Sequence, residues 1–517
     1  MVDAPPISDA ELALLEAAGL GELGATLLQR LTHARHEITW RDARIEKLTF
    51  EMAQLKRVKF GKSSERMDAE QKALFDEALD ADIAALEVQL HELMAARKKP
   101  GERSTPKREP LPAALARVER RHEPENTICA CGCALNRIGE DVSEKLDYTP
   151  GVFTVERHIR GKWACAQCRT LTQAPVPAEI IDKGIPTSGL LAQVLVAKYA
   201  DHLPLYRQEQ IFGRAGLSLA RSTLASWVGV CGVRLQPLVD ALKAHVLRGR
   251  VVHADETPVA MLAPGTGKTH RAYLWAYASG AFEPLRAVVY DFTDSRSGEH
   301  ARAFLGDWRG SLVCDDFSGY KASFALGVTE AGCMAHARRK FVELHIANKS
   351  TLAATAIEFI GHLYDIEREV KTLPAAQRLQ ERRSRAAPIA QKLHDWLLAQ
   401  RTRLHDGTAT AKAIDYSLKR WAALTRYLHD PALPIDNNFD EQQIRPWATG
   451  RKNWLFAGTL MAGQRAAAIM SLVQSAKLNG HDPYAYIKDV LARLPTHAAR
   501  EIDELLPHRK RPANTSC

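Results

Sequence analysis

Apolar residues recur at heptad spacing from about Leu23 to Leu55. Leu31, Ile38, Ile45 and Met52 lie on one line, and Leu27, Ala34, Leu48 and Leu55 lie on a companion line that Arg41 interrupts. That period predicts a long helix with one apolar seam. A second seam, Leu79, Ile83, Leu86, Leu90 and Leu93, resumes after Gly61-Lys-Ser-Ser-Glu. Residues 1–96 therefore read as a helical hairpin packed on its own chain or as a dimerising coiled coil. Residues 97–127 are rich in Lys, Arg, Pro and Glu without any period, which predicts a flexible linker. Within residues 181–248, Leu205-Tyr-Arg-Gln-Glu-Gln-Ile-Phe, a turn at Gly216 and Ser222-Thr-Leu-Ala-Ser-Trp-Val have helix-turn-helix form. An ordinary helical hairpin is the alternative there.

At Arg250 the texture changes. Arg250-Val-Val-His-Ala, Ala272-Tyr-Leu-Trp-Ala-Tyr, Ala287-Val-Val-Tyr-Asp and Ser311-Leu-Val-Cys are predicted strands, and the stretch from about Ser350 to Asp430 reads as helix throughout. Strand, two further strands, helix and strand is the layout of an RNase H-like α/β domain. It would span residues 249–460 with an α-helical insertion at about 350–430, followed by a C-terminal helical region at 461–517. The fold class is thus multidomain α+β.

Composition adds three constraints. A chain of 517 residues has room for roughly three or four domains. A formal charge of +9 points toward a polyanionic partner. No run of about eighteen apolar residues occurs, and the start lacks a basic segment followed by an apolar one, so a cytosolic protein without a membrane partner is expected.

Five of the nine cysteines, Cys129, Cys131, Cys133, Cys165 and Cys168, crowd residues 128–180, which suits metal ligation better than a disulfide framework. Cys165-Ala-Gln-Cys168 can grip one tetrahedral Zn²⁺, while Cys129, Cys131 and Cys133 offer three candidates for the other half. Four of the five would bind Zn²⁺, with His122 and His158 as possible substitutes. Cys231, Cys314, Cys333 and Cys517 are scattered and read as inert. Arg221, Ser222 and Thr223 would open the second helix of the helix-turn-helix, where such motifs reach bases or phosphates.

Three carboxylates carry the chemistry. Asp255 follows Val-Val-His-Ala and Asp315 follows Gly-Ser-Leu-Val-Cys, both at the ends of predicted buried strands. Glu441 lies past the turn-prone Pro434-Ile-Asp-Asn-Asn, where Asn437 or Asn438 could cap a helix. Acids gathered this closely stay ionised only with cations between them, and two Mg²⁺ or Mn²⁺ ions would suit phosphodiester chemistry. Arg338, Arg339, Lys340, Arg445, Arg451 and Lys452 flank these acids as candidate phosphate contacts. Gly265-Thr-Gly-Lys-Thr269 resembles the end of a phosphate-binding loop but has Leu262 where glycine is needed, so it reads as a loop between strands.

Strings along nearly the whole chain resemble the DDE transposases of IS66-type bacterial insertion sequences. They include Leu55-Lys-Arg-Val-Lys-Phe-Gly-Lys-Ser-Ser-Glu-Arg, His253-Ala-Asp-Glu-Thr-Pro-Val, Gly332-Cys-Met-Ala-His-Ala-Arg-Arg-Lys-Phe and the segment from Asp436-Asn-Asn through Gly450-Arg-Lys-Asn-Trp-Leu-Phe-Ala-Gly-Thr. The resemblance implies that Asp255, Asp315 and Glu441 are the catalytic triad. It further implies binding to terminal inverted repeats, nicking, and strand transfer into target DNA. A homo-oligomeric paired-end complex, accessory proteins of the same element and a nucleoid-associated place in the cytoplasm would follow. Two departures stand out: Ile128 occupies the position expected for a first knuckle cysteine, and Asp316 follows Asp315 where glycine is common. A hydrolytic RNase H-like nuclease and a catalytically silent, transposase-derived DNA-binding regulator are the alternatives.

Overall fold

The structure is a computed structural model that describes residues 21–60, 69–95 and 111–509, apart from the single positions 112, 114, 125, 129, 131, 150, 183, 264, 265, 267 and 285. The chain divides into two units, Met1–Ser63 with Ile83–Lys107, and Ser64–Asp82 with Arg108–Cys517.

The first unit holds helix α1 (Gly21–Phe60) and the part of helix α2 (Ala69–Ala95) that begins at Ile83. Lys56 and Glu87 join the two helices at 3.2 Å. On α1 the expected seam is buried at Leu48, yet Ile38 is 49% exposed. The reason is length: about 20 Å of α2 lies in this unit, against about 60 Å of α1.

In the second unit, strands β1 (Ala116–His122), β2 (Leu135–Thr149), β3 (Val152–Cys165) and β4 (Leu171–Gln173) form one sheet centred on β3. Strands β2 and β3 are antiparallel and turn at Gly151, whose φ of +90° an L side chain rarely adopts. Strand β1 corrects the expected linker, because residues 116–122 pair in parallel with β3. Charge, not apolar alternation, lines that pairing. Arg120 meets Glu156 at 3.4 Å and Arg157 meets Glu119 at 3.6 Å across it, while Arg117 reaches Glu144 of β2 at 3.1 Å, so hydrophobic patterning has nothing to register.

Helices α3 (Ser188–Tyr199), α4 (Leu205–Arg214) and α5 (Arg221–Arg248) follow. Helices α4 and α5 are joined through Gly216 (φ +82°) as the helix-turn-helix pattern predicts, but α5 runs for 28 residues and buries Leu224, Val228, Leu235, Leu238 and Leu242. Its body is a core helix, and its first turn alone resembles a recognition element.

The central sheet contains β5 (Val251–Ala263), β6 (Lys268–Ser279), β7 (Val288–Thr293), β8 (Ser311–Cys314) and β9 (Thr329–Gly332) in the order β7-β6-β5-β8-β9. Strands β5, β6 and β7 pair antiparallel, whereas β8 and β9 are parallel to β5, with helix α6 (Gly298–Leu305) in the connection from β7 to β8. Helix α7 (Met334–Asn348) leaves the sheet after β9, and helices α8 (Thr351–Val370), α9 (Ala375–Glu381), α10 (Ala387–Arg401) and α11 (Ala409–Lys419) fill most of the predicted helical insertion. One apolar cluster runs from Val251, Val313 and Ala331 of the sheet through Phe341 to Ile360, Leu393 and Ile414, so these helices share the sheet's core.

Arg382 sits at the centre of those helices with 0% exposure. It grips Glu367 through two hydrogen bonds of 2.7 and 2.6 Å and reaches the carbonyls of Tyr427 and Asp430 at 3.0 and 3.2 Å. Arg382→Ala leaves a buried carboxylate unpaired and is expected to cost about 3–5 kcal/mol, read as a lower denaturation midpoint. An unchanged midpoint would refute this.

Helix α12 (Asn438–Trp454) packs on β5 and β6, helix α13 (Leu460–Leu478) covers β7, and α14 (Pro483–Arg493) follows. The β7 edge would otherwise expose open amides. Ser471 and Ser475 of α13 accept hydrogen bonds from the amides of Tyr290 and Val288 at 2.8 and 3.0 Å. Gly463 permits this approach, since a Cβ there would fall 2.3 Å from the Phe292 ring.

Candidate active site

Asp255 lies in β5 and Asp315 directly follows β8. The parallel register sets His253 opposite Val313. Asp255 and Asp315 each come two residues farther along, close enough that the charge of Asp315 helps raise the Asp255 carboxyl. Asp255 accepts a hydrogen bond from the amide of Glu256 at 2.9 Å, and Asp315 accepts one from Phe317 at 2.8 Å. Asp316 turns elsewhere, 3.6 Å from Arg420.

Glu441 is placed by the segment before it. Asn437 is the N-cap residue of α12, but its side chain does not cap the helix. Instead its Oδ1 faces His253 Nδ1 at 2.7 Å and its Nδ2 donates to the carbonyl of Ala254 at 2.9 Å. Because Nδ2 is committed to that carbonyl, Oδ1 is the acceptor and His253 carries its proton on Nδ1. Burial pushes His253 down to about 4, which keeps it neutral. The expected capping passes to Asp436, which accepts the Asn438 amide at 3.1 Å and the Tyr364 hydroxyl of α8 at 2.7 Å. Asp440 and Glu441 then occupy the first helical turn, where the macrodipole favours acids.

The electrostatics are those of crowded anions. Burial, and then the charges of Glu256, Asp315 and Glu441, push Asp255 up to about 8. Asp440 is fully buried, and burial holds it well above the ordinary carboxylate range. Glu256 is raised by burial too, but Arg296 donates to it at 2.9 Å and Tyr320 at 2.9 Å, so its charge is matched. Glu441 Oε1 is buried without a hydrogen-bond partner among the described residues. An acid kept protonated and an oxygen left unsatisfied are what hard divalent cations would relieve, and carboxylate oxygens such as those of Asp255, Asp315 and Glu441 are of the type that could hold them.

One neighbour, His336, was not among the candidates expected from the sequence. Its Nδ1 stands 3.6 Å from Glu441 Oε1, and Arg339, expected as a phosphate contact, stands 3.5 Å from Oε2. Cys333, His336 and Glu441 bring one ligand atom each within 4.8 Å of one another. Among the described residues no other such group closes to that spacing, the three acids included, so one ion does not span all three acids in this geometry. Cys333, expected to be an inert scattered cysteine, thus lies among residues that could hold a metal ion. Its signal was the short spacing in Cys333-Met-Ala-His336.

The candidate DNA contacts fall into groups. Arg221, Ser222 and Thr223 form the first turn of α5, with Ser222 exposed and the Arg221 amide held by Glu209 at 3.1 Å. Arg338, Arg339 and Lys340 lie on α7, where Lys340 stacks 4.5 Å over Tyr416. Arg445 is exposed one turn past Glu441, whereas Arg451 and Lys452 sit about 15 Å farther along α12 than the acid. Arg451 is bonded to the carbonyl of Pro258.

In the cysteine-rich region, Cys165 ends β3 and the chain turns back so that Arg169 donates to the Cys165 carbonyl at 3.0 Å and the Cys168 amide approaches Cys165 Sγ at 3.5 Å. A bridge between Ile128 and Ala134 closes the opposing turn, and the pairing of Leu135 with Cys165 sets Cys133 beside Gln167, at 3.0 Å. Cys129 and Cys131 lie outside the described residues. His122 and His158 bond each other at 3.0 Å. His158 lies seven residues before Cys165 on β3, about 23 Å away, so neither histidine serves as a substitute ligand.

The chain matches four families: "Transposase IS66 family" over residues 183–465, "IS66 C-terminal element" over 471–508, "zinc-finger binding domain of transposase IS66" over 126–169, and "Transposase C of IS166 homeodomain" over 47–120. The zinc-finger match supports a Zn²⁺ site in the cysteine-rich region. Among curated relatives from Sinorhizobium fredii, "Uncharacterized protein y4qI" is 38% identical over 91% of this chain and 90% of its own length. "Uncharacterized protein y4jD" is 38% identical over 77% and 81%, and "Uncharacterized protein y4hP" is 32% identical over 90% and 88%. No helix of the described residues is long and apolar enough to cross a membrane. With a transposase match over more than half its length and relatives of nearly equal extent, the chain belongs to the IS66 family of transposases.

Proposed function

We propose that this chain binds the terminal inverted repeats of its insertion sequence, nicks them to expose 3′-hydroxyls and joins those ends to target DNA at one centre, Asp255, Asp315 and Glu441, in an RNase H-like domain. The observation that carries this reading is the convergence of three acids from two neighbouring strands and a helix, with the buried Asp255 pushed up to about 8. Two divalent cations, Mg²⁺ or Mn²⁺, would when bound supply charge stabilisation to the attacking and departing oxygens. The protein's own residues do the rest. Asn437 and His253 fix the Glu441 helix to the strand of Asp255, and Arg296 with Tyr320 occupies Glu256 so that it does not compete for ligands. Arg339 and Arg445 meet backbone phosphates beside the acids, with Arg338, Lys340, Arg451 and Lys452 extending that surface. Arg221, Ser222 and Thr223 read the repeats. Four of Cys129, Cys131, Cys133, Cys165 and Cys168 hold Zn²⁺. Pairing of the two ends requires more than one copy of the chain, with accessory proteins of the element assisting, and makes the joining step effectively intramolecular.

The test is incubation of the wild-type protein with labelled DNA bearing the element's ends, a supercoiled target and Mg²⁺ or Mn²⁺. Joined products are expected. Nicks without joining would replace the reading with a hydrolytic nuclease, and binding without strand breakage would replace it with a DNA-binding regulator.

A further inference from the structure

We propose that Cys333, His336 and Glu441 form a second divalent-cation site at the rim of the carboxylate centre, selective for a borderline-soft ion such as Zn²⁺. It shares Glu441 with the proposed triad, and in that respect rests on that reading.

Three observations carry it. First, His336 Nδ1 and Glu441 Oε1 are both buried, both lack a hydrogen-bond partner among the described residues, and face each other at 3.6 Å. That gap is too wide for a good hydrogen bond. It is close to the edge of about 3.4 Å that separates two ligands bound tetrahedrally to Zn²⁺ at about 2.1 Å. Second, Cys333 is the N-cap residue of α7, and its Sγ receives the amide of Asn437 at 3.2 Å and that of His336. Amides and a helix N-terminus around a sulfur favour its thiolate, the form that binds metal. Burial pushes the thiol up to about 12 without an ion, so a bound cation must supply the remaining stabilisation. Third, one thiolate, one neutral imidazole and one carboxylate balance a doubly charged cation, which leaves no net charge in a half-buried site.

The spacing has a chemical consequence. Cys333 at the N-cap and His336 three residues on share one face of the first turn of α7, opposite the first turn of α12 that carries Glu441. Three protein ligands leave one tetrahedral position open to water or a phosphate oxygen. Sulfur and nitrogen ligands set this site apart from the all-oxygen set of Asp255 and Asp315. An ion held here ties up Glu441, so Zn²⁺ would act as an inhibitor of strand joining supported by Mg²⁺.

The experiment is a Co²⁺ titration of the metal-stripped full-length protein, followed by visible absorption. Wild type is compared with Cys333→Ser, His336→Ala and Asp255→Asn. Wild type is expected to bind one Co²⁺ more per chain than Cys333→Ser and His336→Ala, and that extra ion should show tetrahedral d–d bands with thiolate charge transfer, bands that Asp255→Asn keeps whatever oxygen-ligated Co²⁺ it loses. The cysteine-rich region contributes equally to all four proteins. Equal stoichiometry and superposable spectra in wild type and His336→Ala would overturn the site. His336 is partly exposed and its alanine variant decides the question even if Cys333→Ser fails to fold. Binding rather than joining is measured, so a wild-type protein that joins no DNA overturns the proposed reaction and leaves this result intact.

Discussion

Asp255→Asn is expected to abolish strand joining, by more than about a thousandfold, while making the metal-free protein more stable above neutral pH. The catalytic loss follows because an amide cannot supply an anionic ligand oxygen at the junction of β5 and β8. The stability gain follows from linkage. The Asp255 carboxyl is raised from 3.8 to about 8 in the folded chain, mainly by burial. Between those values the native state holds a proton that the unfolded chain has lost, so stability is greatest below the unfolded value and declines as pH rises through the window. Asparagine has no proton to lose. Melting curves in EDTA from about pH 5 to about pH 9 should therefore show a steeper decline for wild type than for the variant, the more so because the Asp255 charge also raises Asp440. The same linkage predicts that loading wild type with Mg²⁺ near neutral pH releases about one proton per chain from this residue. Parallel pH profiles for the two proteins would remove Asp255 as the perturbed acid of the site.

Asn437→Ala is expected to lower stability by about 2–5 kcal/mol and to slow strand joining by about a hundredfold even well below the melting temperature. The side chain is fully buried and its two hydrogen bonds, to His253 and to the Ala254 carbonyl, fasten the start of α12 to the residues immediately before Asp255. Truncation leaves both groups unsatisfied inside the protein, which accounts for the stability cost. The rate effect is geometric, because Glu441 lies one helical turn beyond Asn437 and any drift of that turn moves it away from the strand acids. Joining rates measured alongside melting temperatures separate the two effects. A variant that melts lower yet joins DNA at the wild-type rate would show that the clamp serves stability alone.

Several features of this site could be read along the chain because their signals are local. The runs at 250–254, 287–291 and 311–314 are apolar and β-rich whatever surrounds them, and strands are found there. Acids at the ends of such runs, and a turn-prone Asp-Asn-Asn before a helix, are likewise visible within ten residues. The helix-turn-helix pattern also found its two helices, though not the 28-residue extent of α5, because a helix that buries its body in a core gives the same amphipathic opening as a short one.

What escaped the sequence depends on contacts between distant segments. Strand β1 is formed by backbone pairing with β3, and its charges find Glu144, Glu156 and Arg157 on other strands. Asn437 or Asn438 was expected to cap the helix, and only the fold shows the Asn437 side chain spent on His253, 184 residues away. Cys333 and His336 acquire chemical meaning when α7 and α12 bring their first turns together. The amino-acid sequence by itself determined the order of helices and strands and the chemical type of each candidate ligand, since period and residue type are local properties. The tertiary structure decided which acids lie near enough to raise one another, which of them is buried enough to stay protonated, and which sulfur and nitrogen stand beside Glu441, because register, burial and long-range hydrogen bonds arise only when the chain closes on itself.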